Sequence, residues 1–300
     1  MKHQQSSIFL ASPAYHLHLR RLIPLQGDAG PVLMLHGVLG NSRIFHHPKG
    51  KGLGCYLADQ NFWVYCADFA GRGQSTPPIS ANFQHSQQQA ICQDIPQLIT
   101  HLYQLHQKKV HVICHSWGGV LLAASLARFP ELTSLVQSCI YFGTKRYISV
   151  QSWQKKLKID WFWTKFAPWL TEKYGFLPAR QFRFGADNEP AQFLADTVDW
   201  IQQPEFIDPS DQFDYAAASQ ICRWPASWFF AAVNDHVLGH PQDVERFIAE
   251  TAQQAAEYRV LGRKYGDAID YDHVSMLTHP AAWHGHFPDI ANWLRQQPVN

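Results

Sequence analysis

Charged side chains are scarce in this chain of 300 residues. Asp, Glu, Lys and Arg make up 16% of it, against about 25% in an average soluble domain, and apolar residues make up 46%. This apolar content is too high for a disordered protein. The formal net charge is only +1, from 25 basic and 24 acidic side chains. Proteins that hold nucleic acid through its phosphates carry a basic excess, so we expect no nucleic-acid partner.

The sequence also lacks paired cysteines and a long apolar run. None of the six cysteines forms a CxxC pair, and Cys66, Cys114 and Cys139 lie in apolar, strand-like runs, as reduced and buried thiols do. The N-terminal apolar stretch is too short for a signal peptide. The apolar run 110–127, which has no Asp, Glu, Lys or Arg, contains histidines and a glycine pair, so a strand, a turn and a helix explain it better than a membrane span. We therefore expect a cytoplasmic protein.

Short apolar runs alternate with helical patterns along most of the chain, which is typical of an α/β sheet. The predicted strands are 15–24, as an early edge strand, and 32–36, 63–68, 110–115, 135–143, 226–233 and 258–262. The predicted helices lie near 52–60, 84–107, 118–129, 241–256 and 281–296. The run at 32–36 is apolar throughout and is followed by a glycine, as in a buried parallel strand.

Residues 145–222 interrupt this alternation. Five of the 11 tryptophans lie here, and basic residues crowd the first half of the segment while acidic residues occupy the second. Our main interpretation is that the two halves pair with each other and bury the aromatic rings. The alternative is that the basic, tryptophan-rich run at 153–169 rests on a lipid surface.

The strongest chemical signal is the sequence CHSWGG at 114–119. A predicted strand leads directly into Ser116 and a predicted helix follows at once, which is the arrangement of a nucleophile elbow. The strand and the helix nearly touch at such a turn, so the neighbouring positions must be small. Gly118 meets this requirement, and the compact Cys114 occupies the other position, which is normally glycine.

Two further motifs follow buried strands. HGVLGN at 36–41 makes a turn that can offer the backbone N–H of Val38, while the N–H of Trp117 lies at the start of the helix after the serine. Acyl transfer needs such donors to stabilise a developing oxyanion. DFAGRGQS at 68–75 is a glycine-containing loop, to which we assign a structural role and not a catalytic one.

HGVLGN, DFAGRGQS and CHSWGG, in this order and at these spacings, resemble the α/β-hydrolase superfamily. The resemblance is to the branch of serine esterases, lipases and monoacylglycerol-lipase-like or serine-aminopeptidase-like hydrolases. It implies a mostly parallel central sheet with helices on both faces. It also implies a core of residues 1–144 and 223–300, with 145–222 as a helical, aromatic-rich cap.

The family order places an acid after the serine and a histidine last. Asp235 ends an apolar strand and is the implied acid, with Asp243 as the weaker alternative. His273 precedes the last helix and is the implied base, with His279 as the alternative. Ser116, Asp235 and His273 would then form a catalytic triad, and the Val38 and Trp117 amides an oxyanion hole.

The resemblance implies a serine hydrolase that cleaves a carboxylic ester with an apolar part. The alternatives on the same triad are an acyltransferase, a C–C-bond hydrolase, a haloperoxidase or an amide or peptide hydrolase, and outside catalysis a binding protein that keeps the fold. An apolar pocket would be formed by the tryptophans of the cap: Trp153, Trp161, Trp163 and Trp169. Paired histidines such as those at 46 and 47 have no carboxylate or cysteine at metal-ligand spacing, so we expect no metal and no cofactor. We expect a monomer or a homodimer.

Overall fold

The structure is a computed structural model that describes residues 2–297. Its strands are β1 (His3–Ala11), β2 (His16–Pro24), β3 (Pro31–Leu35), β4 (Trp63–Asp68), β5 (Val110–His115), β6 (Val136–Phe142), β7 (Phe176–Leu177), β8 (Glu189–Pro190), β9 (Ala226–Ala232) and β10 (Glu257–Leu261). Its α-helices are α1 (Leu53–Asp59), α2 (Gln87–Gln89), α3 (Ile95–His106), α4 (Trp117–Arg128), α5 (Pro130–Thr133), α6 (Trp153–Lys155), α7 (Ala167–Tyr174), α8 (Ala191–Gln202), α9 (Tyr215–Ile221), α10 (Pro241–Glu250), α11 (Ser275–Thr278) and α12 (His286–Gln296).

Shorter helical segments complete the description. π-helical segments cover Ala90–Asp94 and Lys156–Phe166, and 3₁₀ turns cover Ser42–Ile44, Arg263–Tyr265 and Pro280–Trp283. Two predicted helices differ from the structure: the one near 241–256 ends at Glu250, and the one near 281–296 is a 3₁₀ turn followed by α12. Across residues 2–297, none of the helices combines the length and the apolar character that a membrane span requires.

Eight strands form one sheet in the order β1-β2-β4-β3-β5-β6-β9-β10. The pairs β1–β2 and β2–β4 are antiparallel, and all pairs from β4 to β10 are parallel. The predicted α/β class and mostly parallel sheet are therefore confirmed. The prediction of 15–24 as the edge strand was wrong, because β1 lies outside β2. The polar segment His3–Ala11 alternates between covered and exposed residues and lacks the apolar run that marks a central strand.

The sheet is covered by helices on both faces. Side chains of a strand alternate between its two faces. In β3, Leu33 and Leu35 therefore join the core cluster that contains α3 and α4, whereas Val32 and Met34 join the cluster that contains α1 and α12. Full burial of each such side chain contributes about 1.5–3 kcal/mol. Strand β3 is thus held from both sides, and its C-terminal end is a rigid support for the loop that follows.

Between β6 and β9 the chain leaves the sheet. We call residues 145–222 the insertion; it contains α6 to α9, the π-helical run Lys156–Phe166 and the small antiparallel pair β7–β8. Its helices pack against each other through a small apolar cluster that includes Ala167, Leu170 and Leu194.

The two halves of the insertion do not pair by charge, contrary to our main interpretation. Among the described residues, no ion pair joins its basic half to its acidic half. The acids face the sheet domain instead, as in the pairs Glu189–Arg72 and Asp211–Arg128. The rings are not all buried either, since Trp153, Trp161 and Trp169 are 72%, 50% and 54% exposed. The sheet domain therefore supplies cations and amides to part of the acidic half, while others of its carboxylates, such as Asp208 and Asp214, are bonded within the insertion.

Candidate active site

Ser116 occupies a strained turn between β5 and α4. Its backbone has φ 53° and ψ −125°, a conformation that non-glycine residues rarely adopt and that costs on the order of 1–3 kcal/mol. The turn is held because the N–H of Ser116 donates to the carbonyl oxygen of Phe142 at 2.7 Å, and the hydroxyl of Thr144 donates to the carbonyl oxygen of Ser116 at 3.1 Å. This is the strand–turn–helix geometry of a nucleophile elbow.

The small neighbours of the serine are required by close packing. A methyl group at Gly118 would lie 2.5 Å from the carbonyl oxygen of His36 and 2.6 Å from that of Leu35, which is closer than atoms can approach. Cys114, on the other side, is fully buried, and burial raises the pKa of its thiol well above the ordinary value. The thiol therefore stays neutral and packs as a small apolar group.

His273 and Asp235 come together from loops 38 residues apart in sequence. The Nδ1–H of His273 donates to Oδ2 of Asp235 at 2.5 Å, and the Asp235 side chain is buried. Burial alone would raise the pKa of Asp235. However, the charge of His273 and its hydrogen bond, the N–H of Gly239 and the charge of Lys145 outweigh burial and bring this pKa below its ordinary value. The acid is therefore an anion that fixes the imidazole with Nε2 directed away from it.

A second histidine supports this imidazole from behind. Nε2–H of His115 donates to the carbonyl oxygen of His273 at 2.8 Å, and the two ring centroids are 4.7 Å apart. Burial, with the nearby charge of His273, lowers the pKa of His115 to about 3, so this ring stays neutral. His115 stands directly before Ser116 in the motif at 114–119, but its role in holding the His273 loop was not predicted.

Ser116 and His273 line the same cavity. The ring of His273 also borders Gly143, where a methyl group would lie 2.9 Å from its Nδ1. Among residues 2–297 the hydroxyl of Ser116 has no hydrogen-bond partner, so the structure does not join it directly to His273. Hydrogen bonds between a nucleophile and its base are often long before substrate binds.

The two alternative residues lie elsewhere. Asp243 is on α10 and accepts hydrogen bonds from the N–H and the hydroxyl of Ser149, at 3.0 and 2.5 Å. His279 accepts a hydrogen bond from the N–H of Ala281 at 3.1 Å and begins a 3₁₀ turn. Neither of these two side chains lines the cavity that contains Ser116.

The two candidate oxyanion donors, the backbone amides of Val38 and Trp117, belong to residues close to Ser116. A methyl group at Gly37 would lie 2.8 Å from Cβ of Ser116 and 3.3 Å from the amide nitrogen of Trp117, so the loop after β3 passes directly over the serine. Within the described chain the N–H groups of Val38 and Trp117 have no acceptor, and both residues line the cavity. Unpaired donors at this place fit the requirement for stabilising an oxyanion.

The loop after β3 is held by contacts that the sequence did not reveal. Nδ1–H of the buried His36 donates to the carbonyl oxygen of Gly37 at 2.8 Å. On the other side, the N–H of Leu39 donates to Oε2 of Glu189 at 2.8 Å, and the side-chain amide of Asn41 donates to Asp187 at 2.6 Å. Both acids belong to the insertion. The insertion therefore holds the residues that follow Val38.

The loop 68–75 has the structural role that we assigned to it. Asp68 accepts hydrogen bonds from the N–H of Ser42 at 2.7 Å and from that of Gln74 at 3.0 Å. Arg72, in the same loop, forms a buried ion pair with Glu189.

The cavity has a volume of about 850 Å³ and lies between the sheet domain and the insertion. Of the four tryptophans predicted to line it, Trp161 and Trp163 do so, whereas Trp153 and Trp169 do not. Trp153 and Trp169 are largely exposed. The segment Lys156–Phe166 is a π-helix, whose wider turn changes which side chains share a face.

The charged residues of the cavity wall are all basic. They are Arg43, Lys145 and Lys158, and the wall, as far as the structure describes it, contains no carboxylate. The rest is mainly apolar, with Leu157, Ile159, Phe162, Phe184, Ile201 and Leu238 among its residues.

The histidines that the structure describes do not assemble a metal site. Within residues 2–297 no group of three or more His, Cys, Asp or Glu side chains is placed to hold a metal ion. His18 donates from Nδ1 to Asp68 at 2.7 Å, and His46 lies 3.3 Å from the hydroxyl of Ser42. These rings satisfy neighbouring polar groups.

The parallel sheet, the turn at Ser116 and the order Ser116, Asp235, His273 define an α/β-hydrolase. The family model for serine aminopeptidase, S33, matches residues 28–202, which is more than half of the chain. The chain therefore belongs to this family.

Relatives and solved structures agree with this class. Triacylglycerol lipase 2 of Arabidopsis thaliana is 29% identical over 134 residues, which are 41% of this chain and 32% of the lipase. This alignment spans only about a third of that relative. Haloalkane dehalogenase DbeA from Bradyrhizobium elkani has a TM-score of 0.63 at 17% identity, covering 97% of this chain and 98% of its own. A putative aryl esterase from Burkholderia cenocepacia has a TM-score of 0.60 at 12% identity, covering 97% and 99%. At these identities the structural matches show the fold alone.

Proposed function

We propose that the protein is a serine hydrolase that cleaves a carboxylic ester with an apolar part through an acyl-enzyme intermediate. One observation carries the proposal: Ser116, the imidazole held by Asp235 and two unpaired amides meet in one cavity of about 850 Å³ with mainly apolar walls. A cavity of this size and character suits a small apolar substrate.

The roles follow from the chemistry of each group. A neutral serine is a weak nucleophile, so Nε2 of His273 takes its proton as Ser116 attacks the ester carbonyl. Asp235 holds the tautomer and stabilises the imidazolium. The amides of Val38 and Trp117 bind the oxyanion, and the imidazolium returns the proton to the leaving alcohol. Water, activated by the same imidazole, then releases the acid.

In this proposal the insertion, residues 145–222, is a cap over a core of residues 1–144 and 223–300. Its support is that the cavity wall is shared, with His115 and Ser116 on one side and Trp161, Phe162 and Trp163 on the other. The absence of a nucleic-acid partner, the monomeric or dimeric state and the cytoplasmic location stay predictions.

The name of the family suggests a second candidate, an aminopeptidase. Such an enzyme must hold the free ammonium group of its substrate beside the scissile bond, for which a carboxylate is the natural partner. The described cavity wall carries three basic residues and no acid. The charge of the wall therefore favours ester hydrolysis over removal of an N-terminal residue. The names of the Arabidopsis lipase and the Burkholderia esterase agree with this choice.

The test is a panel of p-nitrophenyl esters of increasing acyl length beside aminoacyl p-nitroanilides. We expect turnover of the esters, and a loss on the order of 10⁴–10⁶ in kcat for Ser116→Ala. Ser125→Ala is the matched control, since Ser125 lies within α4 and its hydroxyl donates to the carbonyl oxygen of Ile91. A Ser116→Ala protein that kept most of its esterase rate would refute the proposal, and selective turnover of the anilides would replace it with the aminopeptidase.

A further inference from the structure

Lys145 is a buried cation in the wall of the cavity. It lies just beyond the end of β6, next to Thr144, whose hydroxyl binds the carbonyl oxygen of Ser116. Lys145 is only 5% exposed, and its Nζ is 5.5 Å from the centre of the Trp117 ring. Among the described residues its ammonium group has no hydrogen-bond or ion-pair partner. Buried lysines are rare unless they are paired.

The acids around Lys145 do not satisfy it. Asp235 and Asp243 act on it through their charge, but neither forms a hydrogen bond or an ion pair with it: Asp235 is bonded to His273, and Asp243 accepts from Ser149 through Oδ1 while its Oδ2 is unpaired. Three N–H donors of the ammonium group therefore remain for whatever enters the cavity. The other two basic residues of the wall, Arg43 and Lys158, are exposed, so water screens their charge.

We propose that Lys145 is the subsite for a carboxylate of the substrate, so that the enzyme prefers esters whose acyl chain ends in a free carboxylate. This inference rests on the proposed ester hydrolysis and names its substrate class. One buried ammonium balances one negative charge, which fits a carboxylate better than a phosphate dianion. Apolar side chains such as Ile201 and Leu238 offer a path for the methylene chain between the ester and the carboxylate.

The ionisation of Lys145 suits this role near neutral pH. Burial lowers its pKa to about 8, and the charges of Asp235 and Asp243 prevent a larger fall. Trp117, on the other side, is uncharged. The group is therefore mainly protonated at pH 7 and loses its charge as the pH rises through about 8.

The experiment compares two substrates that differ only in the distal charge: mono-4-nitrophenyl adipate and its methyl ester. We expect the wild-type protein to have the higher kcat/KM on the free acid. In Lys145→Met the ratio of the two kcat/KM values should fall on the order of 10–100-fold, the usual worth of a charged hydrogen bond. Lys145→Arg should restore part of it. Lys156→Met is the matched control: Lys156 is exposed and outside the cavity wall, and the ratio should not change.

A ratio that is unchanged in Lys145→Met, or a wild-type protein without preference for the free acid, would overturn the inference. If Lys145→Met does not fold, the same ratio measured in the wild type between pH 6.5 and 9.5 decides, since it must decline above about pH 8. Equal hydrolysis of the free acid and the methyl ester would refute only the carboxylate subsite. If neither ester is hydrolysed and Ser116 is unreactive, the proposed function is wrong as well.

Discussion

The ion pair between Arg72 and Glu189 joins the loop after β4 to the insertion, and its loss should be costly. Both side chains are almost fully buried, at 1% and 0% exposure. Glu189 also accepts the N–H of Leu39 at 2.8 Å, next to the proposed oxyanion donor Val38. Arg72 also donates to the carbonyl oxygen of Ala70 at 2.9 Å. Glu189→Gln removes the charge but keeps an oxygen for the Leu39 amide, so it isolates the electrostatic part.

The size of the expected stability loss follows from the burial of both charged side chains. Removing one partner of a buried pair leaves an uncompensated charge, which costs about 3–5 kcal/mol of the free energy of unfolding. Glu189→Gln and Arg72→Met should each lose an amount of this order. The double variant buries no charge, so it should lose at least about 2 kcal/mol less than the sum of the two single losses. The side chain introduced by Arg72→Met can still pack on Phe193, because the guanidinium carbon of Arg72 lies 4.3 Å from the centre of that ring.

Urea unfolding followed by tryptophan fluorescence measures these losses. The control is Lys108→Met, which removes one partner of the exposed pair between Lys108 and Asp28 and should cost less than about 1 kcal/mol. If the losses of the two single variants simply added in the double variant, the two charges would not be coupled. The proposed attachment of the insertion through this pair would then be wrong.

Further predictions concern the triad acid and the turn. Asp235→Asn should lower kcat by about 10⁴ while the fold persists by circular dichroism, because the imidazole loses its fixed tautomer. Folding lowers the pKa of Asp235, so the ionised carboxylate stabilises the folded protein. This contribution is fully present above the pKa that Asp235 has in the unfolded chain, and it is lost as the pH falls through the lower pKa of the folded protein. Wild-type stability should therefore fall more than that of Asp235→Asn between pH 6 and 3, measured by urea midpoints. Gly118→Ala should lose about 3 kcal/mol or more in thermal unfolding, because its methyl group meets backbone oxygens at 2.5 and 2.6 Å. Gly266→Ala, with open space but φ 93°, should lose only about 1 kcal/mol.

The central strands could be predicted from the sequence because they are buried on both faces. Val110–His115 and Trp63–Asp68 are mainly apolar and almost fully buried, and their bounds agree with the prediction. β1 could not be predicted in this way. It is an edge strand, and most of its residues stay partly in water, so polar side chains such as Gln4 and Ser7 are tolerated in it.

The turn at Ser116 is local and therefore visible in six residues. The pairing of Asp235 with His273 is not local, and the chain has 17 histidines among which to choose. Only the order of residues in related hydrolases selected this pair, and the structure places the two side chains 2.5 Å apart.

The cavity wall depends on packing between distant segments, which sequence patterns do not report. Lys145 lines the cavity together with Ile201 of α8 and Leu238, which come from distant parts of the sequence. In the same way, Trp161 and Trp163 of the π-helical segment Lys156–Phe166 reach the cavity, whereas Trp153 of α6 does not. Composition predicted an aromatic wall but not which rings form it.

The central claim is that Ser116 is a nucleophile activated by His273. Labelling with a fluorophosphonate probe, followed by peptide mass spectrometry, tests it most directly. We expect one adduct, on the peptide that carries Ser116, and strongly slower labelling in His273→Ala. A folded protein that hydrolyses esters while Ser116 remains unlabelled would contradict the account.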